Sequence, residues 1–112
     1  MSEVIETKNL NLVISQSSNI IVLNQNGDII NVFKDTDTPF KGVCTDNYGN
    51  IFVADYESPE RVIMLSEDGI FQRTLLSGEN NNIYSASHLA IDGCGNLWIS
   101  DRNTDITIYS YS

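Results

Sequence analysis

The sequence predicts an all-β chain built from repeated antiparallel sheets, and three observations predict it. First, the segment Gly42–Asp55 (GVCTDNYGNIFVAD) recurs as HLAIDGCGNLWISD at His88–Asp101 and, in worn form, as EVIETKNLNLVISQ at Glu3–Gln16. Each copy has an apolar run, a polar turn, and a second apolar run. Second, Asn11, Asn50 and Asn96 head the second run of each copy, at offsets of 39 and 46 residues. Periods of about 40–50 residues with several strands per repeat are a propeller signature. Third, no apolar stripe of helical period occurs, and the apolar runs are short and separated by polar turns and loops. The expected architecture is a partial β-propeller: two four-stranded antiparallel blades over 3–35 and 40–76, and an incomplete three-stranded blade over 87–110.

Taken in order, copy one opens at Val4-Ile5 and turns through Thr7–Asn11, which has lost the glycine. Strand b is Leu12–Ile14, and a short loop leads to strand c, Ile20–Leu23. Asn26-Gly27 then marks a hairpin in which both turn residues tolerate positive φ. Strand d is Ile29–Phe33, and the polar, proline-bearing segment 34–39 returns the chain to the next repeat. Copy two supplies strands Gly42–Thr45, Ile51–Ala54, Val62–Leu65 and Ile70–Leu75, with Asp68-Gly69 as its hairpin turn. Copy three supplies Leu89–Ile91, Leu97–Ile99 and Ile106–Tyr109, and no fourth strand follows. The b strands, LVI, IFV and LWI, are apolar without alternation, which predicts burial on both faces. Trp98, aligned with Phe52 and Val13, is expected in the core.

The composition narrows the function. The 112 residues carry fifteen acidic and six basic side chains, for a net charge of −9. The cations Lys8, Lys34, Lys41, Arg61, Arg73 and Arg102 are scattered. Nucleic-acid binding draws most of its strength from clustered Lys and Arg, so nucleic acid is not the expected ligand. Cys44 and Cys94 lack the spacing of metal ligands. There is no basic-then-apolar leader and no apolar run of membrane-spanning length. The expectation is a cytoplasmic protein with neither metal nor cofactor.

No constellation for catalysis stands out. Asp55 and Asp101 end the b strands at equivalent positions, and Asp46 and Asp92 precede the a–b turns. A carboxylate repeated at one place in successive repeats suits architecture better than chemistry, because short acidic side chains fasten turns by accepting backbone N–H bonds. His88 is the one histidine, and no nucleophile elbow is present. Loops on a rigid scaffold are where binding residues concentrate. The b–c and d–a loops share a rim bearing Asp35, Asp37, Tyr56, Glu57, Arg61, Tyr84, Arg102 and Asp105, with the longest loops at 56–61 and 77–87. The partner-binding candidates are Tyr56, Glu57, Arg61, Tyr84, His88 and Arg102, since Tyr and Arg are enriched at interface hot spots.

The pattern Pro39-x-x-Gly42-Val43-x-x-Asp46-x-x-Gly49-Asn50-Ile51-Phe52-Val53-Ala54-Asp55, followed by Arg61-Val62-Ile63 and Asp68-Gly69, resembles an NHL repeat. The likeness is to the C-terminal propeller of tripartite-motif (TRIM) proteins and covers nearly the whole chain. It implies four-stranded blades and a non-enzymatic, protein-binding module. Copy one departs from the pattern at Gln16, which replaces the acidic residue, and copy three at His88, which replaces the glycine. The Asn-His-Leu trio is absent, and copy two has Ser58-Pro59-Glu60-Arg61 there. No RING, B-box or coiled coil precedes the repeats, so ubiquitin-ligase activity does not carry over. Two rival classes share the resemblance. Gluconolactonase-like propellers have phrases similar to GNLWIS and use a channel metal; some NHL propellers bind RNA, which the net charge of −9 disfavours.

Closure of a propeller takes about four to eight blades. Two blades and part of a third should leave apolar end faces and an open edge, and three explanations compete: the chain is a fragment or truncated product of a larger propeller, which is the first expectation; two copies complete a ring by self-association; or the chain stands as an open arc. A protein partner is expected in addition.

Overall fold

The computed structural model describes residues 2–16, 18–34, 40–55, 61–77, 86–101 and 106–111. These form three antiparallel meanders, with no helix among them. The first sheet is β1 (Ser2–Glu6), β2 (Leu12–Gln16), β3 (Asn19–Leu23) and β4 (Ile29–Lys34). The second is β5 (Phe40–Thr45), β6 (Ile51–Asp55), β7 (Arg61–Leu65) and β8 (Phe71–Ser77). The third is β9 (His88–Ile91), β10 (Asn96–Ser100) and β11 (Ile106–Ser110). The chain is thus an all-β partial propeller of two four-stranded blades and one three-stranded blade. The repeat fixes the register as well as the order: Val4 pairs with Ile14, Val43 with Val53, and Leu89 with Ile99.

The turns explain the motif. In each a–b turn the fourth residue has a positive φ: 88° at Gly49 and 83° at Gly95. Copy one adopts the same shape without glycine, at Leu10, with φ of 66°. That conformation costs an L-residue about 1–2 kcal/mol, and it is held by the Leu10 N–H donating to the Thr7 carbonyl (3.0 Å) and the Thr7 N–H to that of Asn11 (2.8 Å). The c–d turns differ from the sequence expectation. Leu10 is the one non-glycine with positive φ among the described residues, so Asn26 does not share the left-handed conformation with Gly27. The Gly27 N–H donates to Asn24 O (3.0 Å), and the Asn24 N–H donates to Asp28 O (2.9 Å). The loop therefore has three residues with the glycine last, a form that demands positive φ only there. Ser66–Ile70 repeats it around Gly69.

The second sheet turns one face toward the first sheet and the other toward the third. Between the first and second sheets lie Val13, Ile20, Val22, Phe40, Val43, Ile51, Val53, Ile63 and Leu65, with Ile5 and Phe33 packed alongside. Between the second and third lie Phe52, Ala54, Val62, Leu76, Ala86, Leu97 and Ile99. Side chains cross both junctions. Asn31 Nδ2 donates to the Gly69 carbonyl (2.9 Å) and Asn9 Nδ2 to Glu67 Oε1 (2.8 Å). Arg73 Nη2 donates to the Tyr111 carbonyl (3.1 Å).

Burial on both faces, expected of all three b strands, holds only for β6, whose five residues are all buried. In β2 and β10 burial alternates, because each outer sheet has a neighbour on one side only. Trp98 is the clearest correction. It takes the position of Val13 and Phe52, which are fully buried, yet it is 41% exposed. All three side chains point toward the next sheet, and after the third sheet none follows among the described residues.

Candidate functional site

The a–b turns of the second and third sheets meet in a cleft of about 270 Å³ lined by Asp46, Asn47, Tyr48, Ile91, Asp92, Gly93, Cys94, Gly95 and Tyr111. Its two carboxylates are occupied. Asp46 Oδ1 accepts from the backbone N–H groups of Tyr48 and Asn50, both at 2.9 Å. Its Oδ2 accepts from Asn50 Nδ2 (3.0 Å) and from the Tyr111 hydroxyl (3.1 Å), which reaches across from the third sheet. Asp92 Oδ1 accepts from the N–H groups of Cys94 (2.8 Å) and Asn96 (3.0 Å). Its Oδ2 accepts from Asn96 Nδ2 (3.2 Å) and Trp98 Nε1 (2.8 Å). The expectation that these aspartates fasten turns is met. Each acceptor oxygen is used, and no group of three or more His, Cys, Asp or Glu side chains suited to a metal occurs among the described residues.

The two turns differ in where the last donor comes from. Asp46 receives it from the following sheet. Asp92 receives it from Trp98, two residues beyond Asn96 and so on the same side of β10. Phe52, the equivalent of Trp98, has no side-chain N–H to give. Neither Tyr111 nor the Asp92–Trp98 bond was among the site residues expected from sequence. The spacing of Asn96 and Trp98 carried a signal for the second, whereas Tyr111 lies 65 residues from its partner and carried none.

These bonds set two pKa values. The Trp98 indole, then the backbone N–H of Asn96, hold Asp92 down to about 2 from the ordinary 3.8. Burial, reinforced by the Asp46 charge, pushes Tyr111 up to about 12. A carboxylate whose folded pKa is depressed contributes fully above its ordinary value and loses that contribution as pH falls through the folded one. The Trp98 indole N–H resonance should therefore stay constant from pH 7 to pH 4 and move with a midpoint near 2; a midpoint near 4 would mean that the indole does not hold Asp92.

Of the rim residues expected to bind a partner, Tyr56, Glu57, Tyr84 and Arg102 lie outside the described residues, as do Asp35, Asp37 and Asp105. Arg61 is described and is half-buried. Its Nε donates to Asp55 Oδ2 at 2.5 Å, and Asp55 is 1% exposed. Arg61 thus neutralises a buried carboxylate at the end of β6. Asp55 was expected to bond backbone N–H groups in the b–c loop, whose residues 56–60 lie outside the described residues; the side chain of Arg61 is one partner of Asp55. His88 opens β9, is exposed, and has Nδ1 3.1 Å from Ser87 Oγ. It lies at the opposite end of the third sheet from the Asp92 turn. No disulfide joins Cys44 and Cys94.

The outer face of the third sheet carries an exposed apolar surface. Trp98 (41% exposed), Ile106 (66%) and Ile108 (54%) stand out from it, and a shallow groove runs between His88, Ala90, Trp98 and Ile106. The Asp92 bond fixes the indole in place on this face.

No protein-family model and no curated protein matches the chain. Among solved structures it is similar to a protein of unknown function from Bacteroides caccae, solved by crystallography at 1.35 Å resolution. The TM-score is 0.65 at 13% identity, and the match covers 97% of this chain but 45% of that one. The chain thus spans less than half the length of that structure, and the likeness concerns the fold.

Proposed function

We propose that the chain is a non-enzymatic, cytoplasmic NHL-type propeller segment that works by binding protein. The observation that carries this reading is the outer face of the third sheet, where an exposed indole is held by its hydrogen bond to Asp92 among exposed isoleucines. Rigid, exposed Trp side chains are the anchors from which protein interfaces draw most of their energy. The carboxylates favour the same reading, because those of the cleft spend their lone pairs on turn donors and Asp55 is paired with Arg61. The acidic surface turns the module away from nucleic acid.

Quantitative affinity capture from cell extract, with the wild-type chain and Trp98→Glu side by side, tests this. The expected result is a protein enriched by the wild type and lost by the variant. Enrichment that ignores the change at Trp98 would remove this face from the function. Added calcium or zinc is expected to leave the melting temperature unchanged; a clear shift with one bound ion would favour the metal-dependent hydrolase class instead.

A further inference from the structure

We infer that the cleft between the a–b turns of the second and third sheets is a binding site for a quaternary ammonium group. The cleft lies at a junction described on both sides, and Trp98 does not line it. Its charge is the first observation. Asp46 and Asp92 both line it, and neither forms an ion pair among the described residues. Every hydrogen bond they accept comes from a neutral donor: a peptide N–H, an Asn amide, the Tyr111 hydroxyl or the Trp98 indole. No Lys or Arg among the described residues lines the cleft. Two negative charges are thus left there without a counter-ion.

The second observation is which cation fits. The carboxylate lone pairs are taken, so an ammonium bearing N–H groups would leave those donors unpaired on entering, which is costly away from water. A quaternary ammonium has no donor to satisfy. It is drawn by the carboxylate field and by the faces of aromatic rings, the basis of aromatic cages for choline and methylated lysine. The cleft is lined by two such rings, Tyr48 and Tyr111. Tyr111 is held by its hydroxyl bond to Asp46 (3.1 Å) and by packing on Phe52, with ring centroids 4.8 Å apart. Tyr48 is 83% exposed, so its ring has room to turn onto a guest. A cavity of about 150 Å³ holds benzene, and the cleft of about 270 Å³ has space for a trimethylammonium head and part of its chain.

The junction of the first and second sheets supplies the contrast. Thr7 stands there in the place of Asp46, and Asn9 in the place of Tyr48, because both turns close by the same backbone bonds. Glu67 takes the place of Tyr111: each lies two residues beyond the strand residue, Leu65 or Tyr109, that pairs with Ile51 or Leu97. Asn9 Nδ2 donates to Glu67 Oε1 at 2.8 Å, so a polar pair spans that junction. Exchange of this pair for Tyr48 and Tyr111 gives the second junction its aromatic lining. A trimethylammonium head is carried by trimethylated lysine in a protein and by small molecules of the choline type.

Titration of the full chain with tetramethylammonium chloride, followed by its backbone amide resonances, tests the site, with sodium chloride at equal ionic strength as the reference. The expected result is saturable shifts at Tyr48, Asp92 and Cys94 that sodium does not produce. Tyr48→Ala changes an exposed side chain and is expected to weaken binding roughly 3-fold or more. Asp46→Asn removes one charge yet keeps an acceptor for the turn, as Asn24 does in its own, and is expected to weaken binding as well. Nα-acetyl-trimethyllysine amide should bind roughly 10-fold tighter than its unmethylated counterpart. Tyr111→Phe frees a lone pair of Asp46 and should narrow that preference. Tighter binding of the trimethyllysine derivative than of choline assigns the guest to a protein; the reverse order assigns it to a small molecule. Shifts that sodium reproduces, an unmethylated lysine that binds as well as the trimethylated one, or binding indifferent to Tyr48→Ala would overturn the proposal. None of these results bears on capture of a protein through Trp98.

Discussion

Phe52→Ala is expected to lower the unfolding free energy by about 3–5 kcal/mol, the usual cost of deleting a fully buried aromatic side chain. Phe52 is 0% exposed and lies in β6, all five residues of which are buried. It packs among Ala54, Val62, Leu97 and Ile99, and its ring centroid lies 4.8 Å from that of Tyr111. Removing the ring would open a cavity between two sheets that each carry rigid pairing, so little collapse can fill it. Urea denaturation followed by tryptophan fluorescence measures the effect, because Trp98 reports from the sheet that Phe52 holds. A loss below about 1 kcal/mol would mean that the second and third sheets are not packed together in solution.

Arg61→Ala is expected to cost about 1.5–3 kcal/mol, the range for a hydrogen bond to a charged group, because it removes the guanidinium paired with the buried Asp55 carboxylate. The guanidinium is itself partly buried, which draws its pKa below the ordinary 12.5. Arginine nevertheless stays charged at physiological pH. Arg61→Lys restores the charge but not the planar fork, so partial recovery is expected. Equilibrium urea unfolding of the three proteins tests this. If Arg61→Ala unfolds like the wild type, the residue belongs with the exposed rim.

Much of the architecture is written in short-range patterns. Asn11, Asn50 and Asn96 mark the same place in three hairpins, and the turn chemistry of Asp46, Asp92, Gly27 and Gly69 depends on residues within four positions of each other. Such patterns survive in a single sequence because the forces behind them are local. Trp98 shows where they stop. Its residue type and alignment say core, but burial depends on how many sheets surround it, which a repeat does not encode. Arg61 shows a second limit: a lone cation beside a long loop gives no sign in the sequence that it pairs with the buried Asp55, six residues away. Tyr111 shows a third, since its bond to Asp46 exists only once two sheets are stacked. Leu10 shows the reverse, a turn whose glycine is gone from the sequence while its backbone shape persists.

The burial of β6 on both faces has a consequence for local opening. Peptide N–H groups exchange with solvent only when the structure around them opens. In an array whose units touch only their neighbours, stability is close to a sum of unit and junction terms. Separating either outer sheet breaks one junction, whereas freeing β6 breaks two. The middle sheet is therefore the last to let water in, and the molecule loosens from its ends inward.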